Sequence, residues 1–256
     1  MREYRIGLDI GSTTAKAVVI DSEGRVVFSD YRRHRADIAG CVQEIFSQIA
    51  LSLPQGTARM AVTGSVGMGL AERQGIPFVQ EVSATVRAVR GRYPGVTTVI
   101  DIGGEDAKVV YLNQAGGADM RMNGNCAGGT GAFIDQMASL LQTDAAGLNE
   151  YAKSYRSLYT IAARCGVFAK SDIQPLINDG ATKEDLSASI FQAVVNQTIS
   201  GLACGKPIRG HVAFLGGPLH FLPELRNAFI RTLNLTGDAI IAPDHSHLFA
   251  AVDHLL

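Results

Sequence analysis

GLDIGSTTAKAVVID at residues 7–21 and VIDIGGEDAKVVYLN at residues 99–113 decide how this chain folds, because the second echoes the first. Aligned on Asp9 and Asp101, they match Gly11 with Gly103, Ala15 with Ala107 and Lys16 with Lys108. The interval far exceeds the roughly 20–50 residues of a solenoid repeat and suits two duplicated subdomains. Each copy reads as a β-hairpin: an apolar strand ending in Asp, a Gly-containing turn, then a second strand rich in valine.

Between the copies, RVVFSDYRRH (25–34) reads as a third strand, and residues 36–53 carry helical spacing through Ile38, Val42, Ile45, Phe46 and Ile49. Residues 59–63 predict a strand stopped by Gly64, and 82–92 a helix. After the second copy the pattern turns mainly helical, over 132–141, 167–177 and 183–205. A strand at 211–215 ends in Gly216-Gly217, followed by a helix at 223–233, a short strand at 239–241 and a closing helix from 246. There is no linker, low-complexity tract or charge block. The expected fold class is α/β, with an N-terminal subdomain over 1–95, a C-terminal one over 96–256 and a nucleotide cleft between them.

Composition narrows the function classes. Hydrophobic residues make up 46% and charged residues 18%, ordinary for a globular protein. Lys plus Arg number 23 against 24 for Asp plus Glu, which leaves no electrostatic footprint for nucleic acid or an anionic membrane. No apolar run approaches the ~18 residues that span a bilayer. The start, MREYRIGLDIG, is strand-like rather than a signal peptide, so a cytoplasmic location is expected. Four cysteines, Cys41, Cys126, Cys165 and Cys204, form no C-x-x-C pair, which argues against a zinc ribbon within one chain. Cys41 on an apolar helical face and Cys204 near a helix end read as structural. His34 falls in a basic run with Arg32, Arg33 and Arg35, read as an exposed edge; His245 and His247 read as solvated.

The two D-I-G turns make the case for phosphate. Glycine permits a tight turn and brings backbone N–H groups close to anionic oxygens, while Ser12, Thr13 and Thr14 add hydroxyl donors. Asp9 and Asp101, each at a strand end, supply hard carboxylates for Mg²⁺, directly or through water.

DIGSTTAK, DIGGEDAK and FLGGP resemble the two phosphate motifs and the adenosine motif of the ATPase superfamily that contains actin, Hsp70 and sugar kinases. The fold this implies is a pair of ribonuclease H-like (actin/hexokinase/Hsp70-type) subdomains. More narrowly, MNGNCAGGTGAFIDQMA (122–138) and ARCGVFAKSDI (163–173) resemble the BadF/BadG/BcrA/BcrD-type ATPases, activators of 2-hydroxyacyl-CoA dehydratases and benzoyl-CoA reductase relatives. The resemblance runs from Ile6 to the last helix. It implies an ATPase coupled to electron transfer, a homodimer with one [4Fe–4S] cluster between protomers, a dehydratase or reductase partner, and an electron donor such as ferredoxin or flavodoxin. It maps the cluster ligands onto Cys126 and Cys165, in a helical insertion of the second subdomain.

The residues agree with that mapping independently. A cubane cluster takes four thiolates, which two cysteines per chain supply when two chains meet. Each also precedes a predicted helix, whose N-terminal N–H groups favour a thiolate. Gly128, Gly129 and Gly131 allow close backbone approach. The remaining roles divide between turns. Gly11, Ser12, Thr13, Thr14, Gly103 and Gly104 contact ATP or ADP phosphates, and Lys16 reaches phosphate or lies on the strand surface. Gly216, Gly217 and Pro218 approach the adenine or ribose. Glu105 is the candidate to orient or activate the attacking water, where many similar activators carry Gln. Two readings of other kinds stay open at this point: a small-molecule, sugar-type kinase of the same fold, and a nucleotide-sensing domain of a larger activator-like protein.

Overall fold

A computed structural model describes residues 2–113, 115–123, 128–162 and 166–253. The chain divides into two compact units, Met1–Pro94 with Leu248–Leu256, and Gly95–His247. The closing helix, expected in the second half, therefore belongs with the first.

In the first unit, β1 (Arg2–Ile10), β2 (Thr14–Asp21) and β3 (Val26–Arg33) form an antiparallel meander. Helix α1 (Ile38–Ser52) carries the chain back to β4 (Gly56–Thr63), parallel to β1, in a sheet of order β3-β2-β1-β4. Helices α2 (Gly67–Gln74) and α3 (Glu81–Arg92) follow. Helix α1 starts where the Asp37 carboxylate accepts the Gly40 N–H at 3.0 Å, and it turns Val42, Ile45 and Ile49 inward. Strand β2 reads as a nearly continuous apolar run because both its faces are covered. Ala15, Ala17 and Val19 join the core with α1, while Val18 and Ile20 meet Leu248, Ala251 and Val252 of the closing segment.

The second unit repeats the plan. Strands β5 (Val96–Ile102), β6 (Ala107–Leu112) and β7 (Ala118–Asn123) form the meander. Helices α4 (Gly131–Leu140), α5 (Ala145–Ala152), α6 (Gly166–Asn178) and α7 (Lys183–Thr198) precede β8 (His211–Leu215), which is parallel to β5. Helices α8 (Gly217–Phe221) and α9 (Pro223–Thr232) and strand β9 (Ile240–Ile241) complete a sheet of order β7-β6-β5-β8-β9. Ile100, Ile102, Val109, Phe133, Ile134, Phe191 and Phe214 fill its core. Duplication thus extends past the hairpin to the parallel strand beside it.

Four elements were not anticipated: α2, β7, α5 and α8. Strand β7 is an edge strand with Ala118, Asp119, Met120 and Met122 exposed, so it lacks the alternation that marks a half-buried strand. The helix expected over 183–205 is α-helical only to Thr198, then widens into a π-helical turn, Ile199–Ala203. Cys204 closes it in the left-handed region at φ 46°. No helix among the described residues is long and apolar enough to cross a membrane.

Phe133, fully buried in α4, anchors the helix that follows the glycine-rich segment. Phe133→Ala is expected to cost about 3–5 kcal/mol of unfolding free energy, read from urea titration followed by circular dichroism.

Candidate functional site

The first turn links β1 to β2. Gly11 donates its N–H to the Thr14 carbonyl at 2.9 Å, so the chain reverses within four residues. Ser12 is exposed, Thr13 half-buried and Thr14 buried. Asp9, only 2% exposed, pairs across the strands with Lys16, and the ammonium sits 2.6 Å from its Oδ2. Lys16 is therefore neither idle nor on an open strand surface: it neutralises the carboxylate at the end of β1.

The second turn has the same backbone, with Gly103 N–H donating to the Asp106 carbonyl at 2.8 Å. Its charges differ. Lys108, in register with Asp101, forms an ion pair with Asp106 at 2.8 Å. Glu105 is exposed and has no ionic partner among the described residues. The carbonyls of Gly103 and Gly104 accept the N–H groups of Gly131 and Ala132 at 3.0 and 2.7 Å. This corrects one expectation. The first amides of α4 were to be available to a thiolate ahead of the helix, but two of them are spent holding the turn.

A glycine follows each parallel strand. Gly64 after β4 and Gly216 after β8 both have φ of 92°. A Cβ at Gly216 would run into the Ile102 carbonyl and the Asp101 carboxylate; at Gly64 it would meet the Ile10 carbonyl and the Asp9 carboxylate. Around Gly216, a Cβ on Gly131 would lie 3.2 Å from the Gly103 carbonyl and 3.3 Å from Pro218 Cγ. The second unit thereby brings Asp101, Gly103, Gly104, Gly131, Gly216 and Pro218 together. Gly128 and Gly129 are both buried: Gly129 packs against Gln197 and Thr198 of α7, and the Gly128 carbonyl accepts from Asn123 Nδ2 at 2.9 Å. Cys126 and Cys165 lie outside the described residues. Among the described residues, no group of three or more His, Cys, Asp or Glu side chains is arranged to hold a metal.

Sequence reasoning missed three participants. Gly64 is the structural twin of Gly216, yet Thr63-Gly64-Ser65 shares only the glycine with Leu215-Gly216-Gly217. Ser246 accepts the Gly216 N–H at 3.1 Å, and its hydroxyl lies 3.0 Å from His220 Nδ1. His34 is the third. It is 6% exposed, with Nε2 3.1 Å from the Gly11 carbonyl. Of the basic run read as an exposed edge, Arg33 and Arg35 are exposed, whereas Arg32 is half-buried and bound to Asp30 and Glu44. His247, read as solvated, stacks on His220 with ring centroids 3.8 Å apart. Cys204, read as structural, is exposed.

The model of the BadF/BadG/BcrA/BcrD ATPase family matches residues 6–244. The chain belongs to that family. Its sequence is 31% identical over 219 residues to the (R)-2-hydroxyglutaryl-CoA dehydratase activating ATPase of Acidaminococcus fermentans, covering 85% of this chain and 84% of that one. The structure is similar to component A of the A. fermentans (R)-2-hydroxyglutaryl-CoA dehydratase, with TM-score 0.86, 27% identity and 98% and 96% of the two chains covered. It is also similar to the activator of the 2-hydroxyisocaproyl-CoA dehydratase from Clostridium difficile with bound ADPNP, at TM-score 0.85 and 28% identity, covering 98% and 92%. The fold is accordingly the α/β fold of actin-like ATPases and kinases, built on two mixed sheets.

Two outcomes follow for this family member. Gly216→Ala places a Cβ against backbone in a left-handed residue, a strain of about 1–3 kcal/mol that a thermal melt reads as a lowered Tm. Burial holds the His220 imidazole below its ordinary 6.5, and Arg226 and His245 push the same way. As pH falls below about 6.5, the unfolded chain binds a proton that the folded one refuses, so stability drops. His220→Gln is expected to flatten that part of the pH–stability profile, measured by urea unfolding from pH 7.5 to 5.

Proposed function

We propose that this chain is an ATP-hydrolysing, electron-transferring activator of a 2-hydroxyacyl-CoA dehydratase-like or benzoyl-CoA reductase-like enzyme, working as a homodimer. The observation that carries the reading is the likeness, over nearly the whole chain, to two dehydratase activators, one of them bound to a nucleotide analogue.

The turns have the chemistry the reading needs. The amides of Ser12 and Thr13 take no backbone acceptor among the described residues, which leaves them for phosphate oxygens. Asp101, half-buried at the end of β5, and Asp9, buried at the end of β1 and paired with Lys16, supply carboxylates for Mg²⁺, directly or through a water. Glu105 is exposed in the second turn, and its carboxylate can orient the attacking water and accept its proton. Gly216, Gly217 and Pro218 take the adenosine end. Lys16 spreads positive charge toward the first turn while holding Asp9 in place.

The donor set also fits a [4Fe–4S] cluster. When bound, such a cluster supplies a one-electron carrier held by four thiolates. Cys126 and Cys165 from each of two chains make four. Cys41 is a poor alternative, because burial pushes its thiol away from the thiolate form. A ferredoxin or flavodoxin is the electron donor in this reading, and the dehydratase-type enzyme the acceptor.

Anaerobic reconstitution with iron and sulfide tests it. About four irons per dimer are expected. Cys126→Ser and Cys165→Ser should each lose most of that iron while still binding Mg-ATP. Full iron content in either variant, or wild-type protein that binds Mg-ATP and takes up no iron, overturns the proposal.

A further inference from the structure

We propose that His34 is a positioning residue of the nucleotide site, whose ring holds the first phosphate turn in the shape that receives phosphate oxygens. The inference rests on the reading of Gly11–Thr14 as a phosphate turn, and names a residue that this reading does not include.

His34 follows β3, where its backbone N–H donates to the Thr13 carbonyl at 3.2 Å. The ring then turns inward and is almost completely buried. Its two nitrogens have distinct partners. The Ala36 backbone N–H lies 3.2 Å from Nδ1, and an amide N–H can only donate, so Nδ1 is the acceptor. The hydrogen therefore sits on Nε2, which donates to the Gly11 carbonyl at 3.1 Å. A neutral imidazole in this one tautomer satisfies both contacts. With the Gly11 N–H given to Thr14, both backbone polar groups of the turn's first glycine are tied down.

The internal duplication supplies an independent argument. Gly103 is the counterpart of Gly11 in the second turn, and its carbonyl is also held, by the Gly131 N–H at the start of α4. Two copies of one turn each fix the same carbonyl, one with a helix amide and one with an imidazole. The loop that delivers the imidazole is itself strained. Arg35 and Ala36 have φ of 47° and 68°, two successive non-glycine residues in the left-handed region. Such a pair persists where surrounding contacts over-determine it. Here those contacts are the Ala36 amide on Nδ1 and the Asp37 N–H on the His34 carbonyl at 2.8 Å, just ahead of α1.

The test is calorimetric titration of the full chain with Mg-ADPNP and, separately, with adenosine. His34→Phe fills the same space without a donor. It is expected to weaken Mg-ADPNP binding about five- to tenfold, the worth of one hydrogen bond, and to leave adenosine binding unchanged. His34→Gln, whose amide can still donate to the Gly11 carbonyl, should recover most of the loss. Equal Mg-ADPNP affinity in the Phe variant and wild type overturns the inference while the functional reading stands. So does an equal loss for adenosine, which marks general damage. Wild-type protein that binds no Mg-ADPNP overturns the functional reading itself. Nitrogen-15 NMR of the histidines in wild-type protein gives a measure that needs no variant to fold: a neutral Nε2–H tautomer for His34 is expected, and an Nδ1–H tautomer refutes the arrangement.

Discussion

Backbone crowding at the ends of two parallel strands is the constraint on which the rest of this structure hangs. Beyond β4 and β8 the chain passes so near a neighbouring carbonyl and carboxylate that positions 64 and 216 have no room for a Cβ. Both residues sit at the same φ, which glycine adopts at no steric cost. The close pass sets the exit of each parallel strand beside the Asp-ending strand and its turn. Ligands of open α/β sheets gather at these carboxyl ends, so the crowding also decides where chemistry is possible.

How much of this was legible depended on how local the signal was. The DIG echo was readable because a hairpin carries its information in adjacent residues: alternation, an aspartate and a glycine. Gly64 and Gly216 were not readable as a pair, since what they share is a dihedral angle and a neighbour distant in sequence. His34 was misread for a related reason. Arg32, Arg33, His34 and Arg35 look like one basic run, but side chains along a strand alternate faces, and the chain leaves β3 in a left-handed turn. One member is bound to carboxylates and another is buried against the turn between β1 and β2. The cluster proposed on Cys126 and Cys165 rests on resemblance more than on spacing, because a lone thiol carries little pattern of its own.

The two units keep one backbone plan and divide its chemistry. Lys16 answers the carboxylate at the end of β1, and its counterpart Lys108 makes an ion pair with Asp106, inside the turn, where the first copy has Thr14. The first turn offers small hydroxyl residues after its glycine, and the second offers a second glycine and an acid. One turn leans on an imidazole and the other on the start of a helix. Divergence at this scale leaves the hydrogen-bonded frame untouched, since Gly11 to Thr14 and Gly103 to Asp106 are the same bond. A duplicated scaffold can thereby differentiate its two halves without disturbing the register of either sheet.

The return of the closing helix to the first unit has a consequence for synthesis. Val18 and Ile20, near the start of the first unit, are covered by Leu248, Ala251 and Val252, from far along the chain, with Tyr31 packed beside them. The second unit runs to His247, just ahead of that segment, so the first keeps one face of its sheet bare until the second has also been translated in full. The usual order, in which the amino-terminal part of a chain finishes folding first, is lost here, since both units close on residues near 250. During that interval the exposed apolar strand is a natural substrate for chaperones.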